Sequence, residues 1–268
     1  MIFRSQSRRR SRGAMFSLPV SSVAIDVRLP AGTDELALLE THTADPALAA
    51  MLLARLGTCE EPIDWTALPV PDVEAALLRI RQIAIGDLVR TDVRCVSVDC
   101  RARVDVAFRI SEYLAYSEMR TPRYVEPADE PGWFRLRGTE TSFRIPAVAD
   151  QIAITGLKSP ELELERRCVR PPHAPRATVS KAQKAMEAMA PCFSRPLRGV
   201  CPECQAEMSI YFDVYCFVLR ELRGRAEVVY REVHLIAERY HWPESRILGM
   251  PGTRRRQYAE MIADERIA

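Results

Sequence analysis

Residues 201–219 read CPECQAEMSIYFDVYCFVL, and residues 95–114 read CVSVDCRARVDVAFRISEYL. Aligned on their second cysteines, Cys100 and Cys204, the two stretches keep step. Ala102 matches Ala206, Val104 matches Met208, Val106 matches Ile210 and Phe108 matches Phe212. Ile110 then matches Val214, Tyr113 matches Phe217 and Leu114 matches Val218. Apolar residues two apart predict a strand with one buried face. The change of spacing near Ser111 and Tyr215 predicts that each strand feeds a helix. Each module therefore reads as a cysteine knuckle, a strand and the start of a helix.

Two thiolates on one tight turn are half of a tetrahedral zinc site, which needs four ligands. Paired repeats complete it: one zinc ion held by Cys95, Cys100, Cys201 and Cys204, with the two strands side by side beneath it, as in a zinc ribbon. The long insertion between the halves is tolerable because loop-closure cost grows only logarithmically with length. CPEC has the spacing of two that suits one metal, with proline shaping the turn; CVSVDC is wider and lacks glycine. Thiols without metal, or a labile disulfide, are the alternatives. A redox Cys-x-x-Cys opens a helix after a strand, whereas here the pair precedes a strand. Four thiolates leave no position for water, so such a site contributes folding energy rather than catalysis. Cys59, Cys168, Cys192 and Cys216 lack paired spacing; Cys216 reads as core and the others as bystanders.

Outward from these modules, the chain has 268 residues, 47% hydrophobic and 28% charged, an ordinary globular composition. A net charge of +2 gives no global pull toward nucleic acid or membrane. No window approaches the roughly 18–20 apolar residues of a membrane span, and MIFRSQSRRRSRGAMFSLPV is too weakly apolar for an export signal. The expected compartment is the reducing cytoplasm, where close cysteine pairs more often bind metal than form structural disulfides. Residues 1–20 read as a basic, disordered arm, with initiation at Met15 as a variant of that reading.

The predicted class is α+β: a mixed body over residues 21–216 around the cysteine centre, then a helical region over 217–268. SSVAIDVRLP (21–30) reads as a strand, and DELALLE as a strand or short helix. DPALAAMLLARLG has Asp45 as cap, Pro46 in the first turn and Gly57 as stop. PDVEAALLRIRQIAIGD is a helix ended by Gly86, and WFRLRGTETSFRIP is a hairpin. AVADQIAITG is a short helix, RRCVRPPHAPRATVS a loop, and SKAQKAMEAMAPC a helix capped by Ser180. Leu222, Ala226, Val229, Val233, Ile236 and Tyr240 mark one long amphipathic helix capped by Asp213. HWPESRILGMPG gives a turn and a short helix stopped at Gly252, and TRRRQYAEMIADE a last helix capped by Thr253.

No catalytic constellation emerges. His42 and His173 lie in loop-like sequence without ligand-spaced partners. His234 reads as a helix-surface or core residue, and His241 as a helix-end partner for carbonyls. There is no Gly-x-Ser-x-Gly, phosphate-cradling loop, dinucleotide fingerprint or His-Glu-x-x-His in the chain. The expectation is a non-enzymatic protein without a small-molecule substrate.

The C-terminal stretch FVLRELRGRAEVVYREVHLIAERYHWPESRILGMPGTRRRQYAEMI resembles the ending of T-even-type phage baseplate proteins and their relatives in phage-tail-like contractile injection gene clusters. Val233, His234, Leu235, Ala237, Tyr240 and Trp242 occupy the helix signature. Glu244, Ile247, Leu248, Pro251, Arg254, Arg255, Arg256, Tyr258 and Ile262 follow it. DWTALPVPDVEAALLRIRQIAIGDLVRTDVRC, VDVAFRISEYL and WFRLRGTETSFRIPAVADQ are similar to that family too, so the likeness runs from about Ser21 onward. The resemblance implies a structural or assembly component of a contractile-tail baseplate or hub, with hub or spike proteins as partners. Val233, Tyr240, Trp242, Arg254, Arg255 and Tyr258 would then form the partner-binding face. The competing expectation is a zinc-ribbon accessory protein that binds nucleic acid, with arginines clustered beside the metal.

Overall fold

The structure, a computed structural model, describes residues 15–115 and 120–265. The chain is α+β, and the repetition seen around the cysteines extends over most of it. The first copy runs β1 (Phe16–Ser17), β2 (Ala24–Val27), α1 (Gly32–Glu40), α2 (Asp45–Leu56), β3 (Gly57–Thr58), α3 (Val70–Ala84), β4 (Leu88–Arg94), β5 (Arg103–Arg109) and α4 (Ile110–Ala115). After β6 (Val125–Pro127), the second copy runs β7 (Trp133–Leu136), β8 (Ser142–Arg144), α5 (Val148–Ile154), α6 (Pro160–Cys168), β9 (Val169–Arg170), α7 (Arg176–Met189), β10 (Arg195–Val200), β11 (Glu207–Phe212) and α8 (Val214–Ala226). Three helices, α9 (Val229–Tyr240), α10 (Glu244–Leu248) and α11 (Gly252–Glu265), close the chain.

Pairing follows the same repeat. β2 lies between β1 and β3, and β8 between β7 and β9, all antiparallel. Among the described residues, β4 pairs only with β5, and β10 only with β11, as separate two-stranded sheets. The helix starts repeat as well. Arg28-Leu29-Pro30-Ala31 leads into α1, and Arg144-Ile145-Pro146-Ala147 leads into α5. Alanine offers no capping oxygen, so the carboxylate three residues on does the work. Asp34 accepts the Ala31 N–H at 2.9 Å and both arms of Arg28 at 2.7 and 3.0 Å. Asp150 accepts the Ala147 N–H at 2.8 Å and both arms of Arg144 at 2.6 and 2.9 Å.

The first copy and α8 share the largest core, in which Leu48, Leu52, Leu53, Val73, Leu77 and Ile80 meet Phe217, Val218 and Leu222. Leu136, Phe143, Val169, Ala182 and Met189 form the core of the second copy. Leu235, Ile236, Ile247, Ala259 and Ile262 form a third beneath the aromatic trio Tyr240, Trp242 and Tyr258. The copies meet backbone to backbone where Val70 N–H donates to Pro146 O at 2.9 Å and Val148 N–H to Leu68 O at 3.1 Å. Ala147 bridges Pro69 there, and Ala31 bridges Pro251 at the start of α11 in the same manner. The start of α11 thus stands to α1 as the start of α3 stands to α5.

Several expectations need correction. The single long helix is two, because the chain turns at Glu227 and Val228 between α8 and α9. The boundary at 216/217 falls inside α8, whose apolar face belongs to the main core. Residues 15–20 are not an arm: Phe16 and Ser17 pair with β2, and Leu18 is buried; residues 1–14 lie outside the described ones. The expected loop 166–180 contains β9 and the first turn of α7, which starts after Pro175 rather than Ser180. Gly252 and Thr253 open α11 instead of stopping or capping a helix. Among the described residues, no helix is long and apolar enough to cross a membrane.

Candidate metal centre

A strand that sequence reading overlooked precedes each knuckle, so each cysteine pair sits at the tip of a β-hairpin. The two tips close alike. Cys95 N–H donates to Ala102 O at 2.8 Å, and Cys201 N–H to Ala206 O at 2.9 Å. The residue after each second cysteine is left-handed, Arg101 at φ 46 and Gln205 at φ 60, a conformation that ordinarily favours glycine. The knuckle signal is therefore geometric, and the absence of glycine in CVSVDC conceals it.

The hairpins face each other and bring the four predicted sulfurs together. Cys95 Sγ lies 3.6 Å from Cys204 Sγ, and Cys100 Sγ lies 3.9 Å from Cys201 Sγ. All four fall within 4.8 Å of one another. A metal ion about 2.3 Å from each sulfur places tetrahedral ligands about 3.8 Å apart. A disulfide needs about 2.05 Å, and all four cysteines are free thiols. The donor set fits a tetrahedral metal ion. The strands are not side by side as expected: each ladder is satisfied within its own hairpin. The hairpins instead meet through side chains, with Met208 buried against Val93, Val104, Ala206 and Ile210 beneath the sulfurs.

Charge in the cluster is uneven. N–H groups of Cys204 and Glu203 aimed at Cys201 hold its thiol down to about 7. The Ser97 N–H, 3.4 Å from Cys95 Sγ, draws that thiol down, but burial and the neighbouring thiols prevail and push it up to about 12. At Cys100 the Ala102 N–H lowers the pKa, yet burial and the thiols of Cys204 and Cys201 raise it overall. One sulfur is thus prepared to carry charge while Cys95 and Cys100 hold protons, which a divalent cation would displace.

Of the other cysteines, Cys168 is buried, and burial pushes its thiol up to about 12. Cys216 is exposed rather than core, since α8 turns the neighbouring residues inward instead. The expected partner face is divided. Tyr240 stacks on Trp242 at 5.0 Å, and Tyr258 stands edge-on to both, so the three hold one another half-buried. Val233 is half-buried beside them and Arg254 is exposed. Arg255 does not belong to a surface. It is 0% exposed, donates to Glu232 at 2.6 Å and also bonds Glu35 of α1. The reason is that α11 packs on α9 while its start meets α1, and two inward carboxylates require a cation between them. His234 is exposed, 3.9 Å from Glu238.

The chain matches no family model, no curated protein and no solved structure.

Proposed function

We propose that this protein is a zinc-stapled, non-enzymatic scaffold used in building the baseplate or hub of a contractile tail, in a phage or a phage-tail-like injection device, and that it works in the cytoplasm. The observation that carries the scaffold reading is the four-sulfur cluster, which brings together hairpins from the two copies; with zinc bound, it would be a zinc-ribbon-like centre. Zinc suits four thiolates in tetrahedral array, and four sulfurs complete its shell. Around this staple, Val96 and Val98 stand 61% and 76% exposed at one tip and Val200 is exposed at the other, an apolar contact surface on a rigid support. The tail-building role rests on the resemblance to baseplate proteins read from the C-terminal and middle stretches of the sequence alone. Its partners would be hub or spike proteins, met through Val233, Tyr240, Trp242, Arg254 and Tyr258, with Arg255 holding that region in place from inside.

Elemental analysis of purified protein should give one zinc per chain, and substitution of any of the four cysteines by serine should remove it. Co-expression with the hub and spike proteins of the same gene cluster should give a complex that survives purification. Absence of both zinc and complex would defeat the reading.

One observation favours nucleic acid instead. Arg90, Arg94, Arg103 and Arg109 lie on the outer face of the first hairpin, with Arg101 at its tip. Asp92 and Asp105 sit opposite each other within that face, and Arg103 is tied to Asp92 at 2.9 Å, which lowers its net charge. DNA binding that weakens steeply with salt would select this reading.

A further inference from the structure

Where Ile145, Pro146 and Gln151 approach the start of α3, a cleft of about 510 Å³ opens between the two copies. Glu74 lies within it, 5% exposed. One of its oxygens accepts the Ser194 hydroxyl at 2.6 Å, and that hydroxyl in turn accepts the Val214 N–H at 3.0 Å. The Ser194 N–H also acts on this carboxylate, and among the described residues no lysine or arginine forms an ion pair with it. Glu187 adds another acid at the rim, and among the described residues no lysine or arginine lines the cleft.

The same junction exists once more in the molecule. Leu29, Pro30 and Glu35 stand to the start of α11 as Ile145, Pro146 and Gln151 stand to the start of α3. There α11 brings Arg255 and Arg256, and Arg255 bonds Glu35 and Glu232. The cavity left beside them is about 70 Å³. The chain supplies its own guanidinium at one junction, and at the other a buried carboxylate lines a cleft that holds no guanidinium of the described residues.

We propose that the cleft between α3 and α5 receives an arginine side chain from another polypeptide, with its guanidinium on Glu74 and its stem along Ile145 and Met186. The buried acid and the absence of a lining cation set the charge of the ligand, and the apolar walls favour the aliphatic stem of arginine. The cleft has room for backbone on either side of that residue. This site is independent of the metal centre and of the tail-building role. Burial pushes the Glu74 carboxyl up to about 7, so seating a guanidinium at neutral pH releases protons to the buffer.

The test uses the full chain titrated with acetyl-Ala-Arg-Ala-amide and, separately, with n-propylguanidinium, following alkylation of Cys192 in the cleft by peptide mapping and heat in two buffers of different ionisation enthalpy. The expected result is saturable tripeptide binding that slows Cys192 alkylation, releases protons, and is at least about tenfold tighter than propylguanidinium binding. Glu74→Gln, which keeps an acceptor for Ser194, should weaken binding about tenfold or more, and Met186→Trp, which fills the cleft and leaves Glu74 in place, should also block it. Absence of tripeptide binding up to about 10 mM, or unchanged binding by both variants, overturns the proposal. Propylguanidinium binding as tightly as the tripeptide overturns the polypeptide source and assigns the cleft to a small free cation.

Discussion

Arg255 shows how a residue read as a surface contact becomes internal. Its three-arginine setting, Arg254 to Arg256, reads as a basic face, yet burial between Glu35 and Glu232 is what α11 requires of it. Arg255→Ala would leave two inward carboxylates without their cation, and we expect a loss of about 3–5 kcal/mol in urea denaturation; a loss under about 1 kcal/mol would mean water reaches the pair. Gly32 is tied to the same residue, because a Cβ there would lie 2.6 Å from Arg255 Nη1 and 2.9 Å from the Leu248 backbone. Glu74 makes stability depend on pH. Its carboxyl holds a proton up to about pH 7 in the fold, against an ordinary value of 4.5, chiefly because it is buried; Asp213 adds to the rise and Ser194 opposes it. Between those values the folded chain binds more protons than the unfolded one, so stability falls as pH climbs from about 4.5 to about 7. The loss is of the order of 3 kcal/mol, and Glu74→Gln should flatten that slope in chemical denaturation across the window. Tyr211, Tyr215, Cys192 and Glu187 also face this region and titrate at higher pH or stand exposed.

At the scale of elements, the informative unit is the hairpin with its knuckle and the helix start with its aspartate. LVRTDVR alternates as plainly as RVDVAFR, so β4 was legible once a partner for β5 was sought; β10, with Pro196 and Gly199, was not. Left-handed Arg101 and Gln205 cannot be read from residue type, since long side chains ordinarily avoid that region. Replacing either with glycine should raise stability by up to about 1 kcal/mol, measured on the metal-loaded protein by thermal denaturation. The paired starts of α1 and α5 make a matched prediction. Asp34→Ala and Asp150→Ala should each cost about 1–3 kcal/mol, since each leaves an arginine and a helix-start N–H without their acceptor. A large difference between the two would break the equivalence of the copies.

For the whole molecule, the four-sulfur cluster links the copies at the hairpin end, and the Pro69–Ala147 bridge links them at the helix end, beside the core that the first copy shares with α8. Removing metal with a chelator should leave the helical cores assembled but free the hairpins. We expect faster amide exchange confined to residues 88–109 and 195–212, with a lowered Tm. Uniform loss of protection would mean the staple governs the entire fold. The α9–α11 region completes the arrangement, because α11 gives α1 the neighbour that α3 gives α5.

The sequence by itself determined the cysteine knuckles, the buried faces of β5 and β11, most helices, and the likeness of their two cysteine modules, because these depend on local spacing and on residue types that have one physical use. The tertiary structure decided that the repetition spans whole copies, that the hairpins meet by side chains, and that Arg255 is internal while Glu74 is a buried acid at the wall of a cleft. Those outcomes depend on which distant surfaces meet, and a buried charge takes its meaning from the group placed opposite it.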